Sequence, residues 1–190
     1  GGTSWSTLYS SYLGSNNVGA SEFGEAVAYD SAGNIYVAGK VSSSGLPTKN
    51  AYDTSYNGST DLFIAKFDPS AGTGSASLVY STYFGGSGSD SVYDMAVDAS
   101  GSVYLTGSPG SDTLPLTGDA HDSSRDGTDA FVSILGPTGS TLTYSTFLGG
   151  DGSDTGYGIA LDASDNIYIA GSSSSTTGLA TVGAYDTSFN

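Results

Sequence analysis

The stretch Asp30-Ser31-Ala32-Gly33-Asn34-Ile35-Tyr36-Val37-Ala38-Gly39 decides the fold. Ile35 and Val37 alternate with Tyr36 and Ala38, the two-residue period of a strand whose faces differ. The preceding residues 25–30 read as a second strand. Between them Ser31-Ala32-Gly33-Asn34 is a tight turn, its Gly-Asn pair suited to positive φ angles and Asp30 placed to accept amides two or three residues on. The same phrase returns at 98–107 and 162–171, so the aspartates at 30, 98 and 162 set a period of 68 and then 64 residues. Leu8-Tyr9-Ser10-Ser11-Tyr12-Leu13-Gly14 returns in step at 79–85 and 143–149. Repetition at this spacing implies one supersecondary unit stacked on copies of itself.

Working outward, each unit reads as four strands. After the hairpin comes a polar connection rich in Ser, Gly and Pro, then Asp61-Leu62-Phe63-Ile64-Ala65-Lys66-Phe67, matched by 129–135, and then the Tyr-Ser-Thr-Tyr segment. No stretch keeps apolar residues at i, i+3, i+4 and i+7 over three turns, and 29 glycines supply turns between short strands. The fold class is all-β, built of tandem four-stranded antiparallel β-propeller-like blades in about three repeats. A unit that is apolar on both faces needs a neighbour on each. One repeat-built domain is expected over 1–190, with 1–14 an N-terminal segment completing a blade, 15–85 repeat 1, 86–149 repeat 2 and 150–190 an incomplete repeat 3.

Charge narrows the partners. Four Lys+Arg against 19 Asp+Glu give a formal charge of -15, which excludes a phosphate backbone as partner. No apolar run has the length of a membrane span, and there are no cysteines to form disulfides. Gly1-Gly2-Thr3-Ser4-Trp5 is not a signal peptide, which leaves either a processed chain or a piece of a longer one. A polar, acidic, Tyr-rich and Cys-free chain suits an extracellular or cell-surface location.

The run Tyr80-Ser81-Thr82-Tyr83-Phe84-Gly85-Gly86-Ser87-Gly88-Ser89-Asp90, followed by Met95-Ala96-Val97-Asp98-Ala99-Ser100-Gly101-Ser102-Val103-Tyr104-Leu105-Thr106-Gly107, resembles the SBBP family of bacterial β-propeller repeats. Asp129-Ala130-Phe131-Val132 is similar to that family's third-strand motif. The resemblance implies a propeller-type repeat of secreted or surface-exposed bacterial proteins, with no catalytic residues to carry over. The first repeat departs from the pattern: Gly14-Ser15-Asn16-Asn17-Val18-Gly19-Ala20-Ser21-Glu22 is longer than Gly85-Gly86-Ser87-Gly88-Ser89-Asp90.

The ends are out of phase. Strands number eleven on this reading, beginning with a fourth strand at Tyr9 and ending two strands into a third unit. Ala184-Tyr185-Asp186-Thr187-Ser188-Phe189-Asn190 copies Ala51-Tyr52-Asp53-Thr54-Ser55-Tyr56-Asn57, so joining Asn190 to Gly1 restores the phrase, and 4–8 around Trp5 falls where a strand is missing. Three arrangements fit: head-to-tail complementation between chains, a piece of a longer array, or self-closure. Self-closure is disfavoured because propellers need about four to eight blades. Complementation makes the chain a non-enzymatic extracellular scaffold or filament subunit, with Trp5 at the subunit junction. The alternative is a surface glycan-binding or adhesive module using its 14 tyrosines.

Catalysis finds little support. His121 is the only histidine, and its repeat equivalents are Tyr52 and Tyr185, so an aromatic slot is expected. No Gly-x-Ser-x-Gly elbow occurs. Zinc lacks ligands; Asp90, and Asp151 with Asp154, have the oxygen chemistry to hold calcium, but turn capping accounts for them and no cofactor is expected. Asn57-Gly58-Ser59 is a glycosylation sequon.

Overall fold

The computed structural model describes residues 9–15, 17, 19–181, 184–186 and 188. Their strands form three antiparallel sheets with neighbours in chain order. The first holds β1 (Glu22–Tyr29), β2 (Ile35–Val41), β3 (Asp61–Phe67) and β4 (Leu78–Phe84); the second holds β5 (Ser91–Val97), β6 (Val103–Ser108), β7 (Ala130–Leu135) and β8 (Leu142–Leu148). β9 (Asp154–Leu161) and β10 (Ile167–Ser173) form the third. The fold is all-β, with blades of the propeller type whose sheets do not close, and among the described residues helix is limited to 3-10 turns at Pro69–Ala71 and Gly74–Ala76.

The repeated phrase builds each hairpin in one way. Asp30 Oδ1 accepts the amides of Ala32 (3.0 Å) and Asn34 (2.9 Å), Asp98 Oδ1 those of Ser100 (2.9 Å) and Ser102 (2.8 Å), and Asp162 Oδ1 those of Ser164 (2.8 Å) and Asn166 (3.0 Å). The bonds reach two and four residues on, closing the turn more fully than the expected two or three. Only one residue per turn needs positive φ: Gly33 (85°), Gly101 (88°) and Asp165 (59°). Each aspartate also accepts the hydroxyl of the tyrosine six residues on, Tyr36, Tyr104 or Tyr168, tying turn to strand. At the far end the phrase closes on glycine because a bulge in the partner strand brings a carbonyl against it. A Cβ would lie 1.9 Å from the Phe23 oxygen at Gly39, 1.9 Å from that of Ser91 at Gly107, and 2.0 Å from that of Thr155 at Gly171.

Alternation then stacks the blades. Tyr36, Ala38, Leu62 and Ile64 leave the first sheet on one side and meet Val92, Met95, Val103 and Leu105 of the second, with Phe84 and Phe131 at 6.4 Å between ring centres. Each fully buried large side chain here contributes about 1.5–3 kcal/mol of transfer free energy. The second sheet's other side carries Thr106 against Gly156 and Asp94, whose Oδ2 accepts the Ile159 amide at 2.9 Å. β5 thus packs on β1 and β2, and β9 on β5 and β6.

Residues 9–15 form no strand, although a fourth strand was expected at Tyr9. They lie across the first sheet's outer face instead. Tyr9 stacks on Phe67 at 6.1 Å and its hydroxyl meets Ser77 Oγ at 2.7 Å, while Leu13 packs near Val37. The reason is burial: Ile35, Val37 and Phe67 form an apolar surface with no other cover among the described residues. Among the described residues ten strands are therefore seen in place of eleven, and β1 begins at Glu22 where 25 was expected. Trp5 and the rest of 4–8 lie outside the described residues.

Candidate functional site: a cleft repeated at two blade junctions

Between the first and second blades a cleft of about 510 Å³ opens at one rim, bounded by Tyr52, Asp53, Asn57, Ser87, Thr113 and the Gly85-Gly86 floor. One repeat later a cleft of about 420 Å³ uses the equivalent positions: His121, Asp122 and Asp126 for Tyr52, Asp53 and Asn57, then Gly149-Gly150-Asp151 and Thr177. The recurrence follows from the repeat, because each junction pairs the segment before one blade's third strand with the loop entering the next blade.

The walls differ in chemistry. Tyr52 is half-buried against Phe84 at 6.3 Å, and burial, with Asp53 adjacent, raises its phenol above the usual range. His121 occupies the same place but is exposed, its amide donating to Tyr144 Oη at 3.1 Å. It lines a rim and fills no packed aromatic slot, which corrects that expectation. Tyr185, the third equivalent, is fully exposed. Asn57, of the sequon, is exposed and donates from Nδ2 to Asp53 Oδ2 at 2.7 Å. Ser87 leans on Thr113, its amide donating to Oγ1 at 2.7 Å; Asp151 is held at about 2 first by the Thr176 hydroxyl at 2.7 Å and then by the Thr177 and Thr176 amides at 3.0 and 2.7 Å.

Beneath each floor lie buried carboxylates. Asp90, at 0% exposure, accepts the Gly86 amide on Oδ2 and the Gly110 amide on Oδ1, both at 2.8 Å. Asp154 accepts the Gly150 amide at 3.0 Å and the Ser175 hydroxyl at 2.7 Å on Oδ2, leaving Oδ1 without a partner. In the first blade Glu22 stands at this position; its longer side chain accepts the Ser15 amide at 2.8 Å, spanning the longer loop. Asp90 and Asp154 thus cap loops at separate junctions, and among the described residues no three Asp, Glu, His or Cys side chains form a metal-binding group.

Sequence reasoning missed Asp61 and Asp129, read only as third-strand openings. Asp61 is fully buried, with Oδ2 accepting the Asn57 amide at 2.7 Å and Oδ1 short of a partner; Asp129 is also buried, with the Asp126 amide its nearest donor. Burial pushes each up to about 6, reinforced by the negative charges of Asp90 and Asp53 around Asp61 and of Asp122 and Asp154 around Asp129. The signal was present: an acid opening an otherwise apolar strand at the same place in both repeats.

Stacked four-stranded blades joined by conserved-register hairpins and capped loops define a β-propeller-type repeat protein. The SBBP beta-propeller repeat family model matches the chain at two stretches, residues 79–112 and 143–178. Each match runs from the outer strand of one blade through the inner hairpin of the next, so it spans a junction and includes its glycine floor and Asp90 or Asp154. No curated protein matches the chain.

Proposed function

We propose that the chain is a non-enzymatic structural module of an extracellular or cell-surface scaffold, assembling head to tail with further copies through its end blades. One observation carries this reading. Tyr36, Tyr104 and Tyr168 are repeat equivalents on the trailing faces of the three blades, and their exposure runs 0%, 7% and 58%. On the leading faces Val27, Met95 and Ile159 are equivalents at 72%, 5% and 7%. The parts left open at the two ends, β1 of the first blade beyond the cover of residues 9–15 and the trailing face of the third sheet, therefore belong to the same two surfaces that mate inside the chain, the condition for a heterologous contact that propagates. The third sheet's two strands give a further place for pairing.

The test uses the intact chain. Light scattering and negative-stain electron microscopy should show concentration-dependent fibres or rings. Val27→Glu and Tyr168→Glu, at opposite ends, should each stop growth, and mixing the two variants should yield dimers only, since one sound junction remains. A wild-type chain that stays monomeric at every concentration would defeat the proposal.

A second reading, glycan binding, is favoured by the first cleft alone, where the Tyr52 ring is edged by Asp53, Asn57 and Thr113. A monomeric Val27→Glu chain that binds neutral sugars, and loses them with Tyr52→Ala, would support it.

A further inference from the structure

We propose that each blade junction is locked by a proton held on a buried third-strand carboxyl group, Asp61 near Asp90 and Asp129 near Asp154, so that the stacked blades are proton-loaded and grip more tightly in weak acid. This concerns contacts within the chain and holds whether or not copies assemble.

The geometry points there first. A Cβ on Gly85 would lie 2.6 Å from Asp90 Oδ2 and 3.3 Å from Asp61 Oδ1, which places these oxygens within about 6 Å of each other, the range over which one carboxylate opposes ionisation of another. At the second junction a Cβ on Gly149 would meet Asp129 Oδ1 at 2.4 Å, while the neighbouring Gly150 amide is bound to Asp154. The glycine floor is what lets two acids approach so closely. Hydrogen bonding is incomplete at both places: the Asn57 and Gly58 amides act on Asp61 and the Asp126 amide on Asp129, the Ser175 hydroxyl serves Asp154, and Asp61 Oδ1 and Asp154 Oδ1 stay buried short of a well-formed bond. An ionised carboxylate in that position carries an uncompensated desolvation cost, whereas a protonated one supplies the missing donor itself.

The charged surroundings relieve the carboxyl groups only in part, through Arg125 near Asp129. Asp61 faces Asp90 and Asp53 with the phenol of Tyr56 nearby; Asp129 faces the charges of Asp122 and Asp154 and the amide of Asp126, and Arg125, whose Nη1 binds Asp112 at 3.0 Å, offsets part of that repulsion. A proton is the smallest neutralising agent, and no three acids gather to hold a metal among the described residues.

The sign follows from linkage. With Asp61 and Asp129 at about 6 when folded and 3.8 as the ordinary value, the folded chain binds more protons between those limits. Stability therefore rises as pH falls through 6, and the advantage is lost as pH rises through it. Near pH 5 folding should take up about 1.7 protons, roughly 0.85 per junction.

Two measurements test this. Carbon NMR of aspartate carboxyls in the wild-type chain should show two groups titrating with midpoints near 6; all midpoints in the ordinary aspartate range would overturn the proposal. Thermal unfolding from roughly pH 8 to pH 5 should show a rising midpoint in the wild type and a flatter profile in Asp61→Asn/Asp129→Asn, whose amides donate without ionising. Should a chelator lower the wild-type midpoint and excess calcium restore it, a cation and not a proton neutralises the pair, which also overturns the proposal.

Discussion

Tyr80→Phe should stabilise this protein, although it removes a polar group from the centre of the fold. Tyr80 sits on β4 in the core between the first two blades, fully buried, and the turn after β7 closes over it, so that a Cβ on Gly139 would lie 2.3 Å from its ring. Its hydroxyl has no hydrogen-bond partner, and burial drives the phenol far above its usual range, with Tyr36 adding to the effect. In the unfolded chain the same hydroxyl is hydrated. Folding therefore costs it about 1–3 kcal/mol that no bond returns, while the ring's burial, which phenylalanine keeps, is unaffected. Against that stands the small void left by one oxygen, so the net gain should be about 1–2 kcal/mol. For a chain of this length each kcal/mol moves the melting midpoint by about 2–4 °C.

Differential scanning calorimetry on the wild type and Tyr80→Phe measures this directly, and the repeat supplies the control. Tyr144 is the equivalent residue on β8, half-buried, and its hydroxyl accepts the His121 amide. Tyr144→Phe should be neutral or lose about 0.5–1 kcal/mol, the ordinary net value of one hydrogen bond. A Tyr80→Phe chain that melts at or below the wild type would refute the reasoning, because it would mean the buried hydroxyl is satisfied in solution.

Other expectations follow from the same contacts. Gly107→Ala should cost several kcal/mol and give little folded protein by circular dichroism, since its Cβ would sit 1.9 Å from the Ser91 oxygen with backbone, not a side chain, in the way. Asp94→Ala should lower stability by about 1.5–3 kcal/mol in denaturant titrations, because it removes the charge-assisted acceptor of the Ile159 amide between the second and third blades. Phe131→Ala should cost about 3–5 kcal/mol by the same assay, as it opens a cavity beside Phe84 in the main core. Asp162, held at about 2 chiefly by the Asn166 side chain and then by turn amides, should favour folding above its ordinary 3.8 and lose that contribution as pH falls towards 2; its NMR titration midpoint checks this.

How far the sequence reached depends on how local the cause was. The hairpins were legible because Asp30, Gly33 and the alternation from Ile35 to Ala38 act within ten residues, and β3 (Asp61–Phe67) matches the expected bounds. The turn chemistry was only half read: Asn34 does not take positive φ, and in the third repeat Asp165 does so in glycine's place. The segment at Tyr9 was misread because its sequence is that of a fourth strand, and strand formation needs a partner edge that pattern alone cannot supply. There the apolar face of Ile35, Val37 and Phe67 decided the outcome. The buried acids were least legible. Asp61 and Asp129 become informative only when the fold brings them under Gly85 and Gly149, some twenty residues away along the chain.

The repeats make those acids more than a curiosity of packing. If Asp90 and Asp154 served only to cap their loops, the amides of Gly86 and Gly150 would suffice to explain them, and a third-strand residue at Asp61 or Asp129 could be any small side chain that fits. Instead an acid stands at both third-strand positions, fully buried and held by only a few backbone amides. The first blade, whose leading face meets no other blade among the described residues, replaces the second partner by Glu22, which reaches out to the Ser15 amide and is only half-buried. The close pairing of two carboxyl groups thus appears where two blades meet and is absent where the described chain shows none. That correlation assigns the pair to the contact between blades, and it makes the stacking of blades the property that acidity should change.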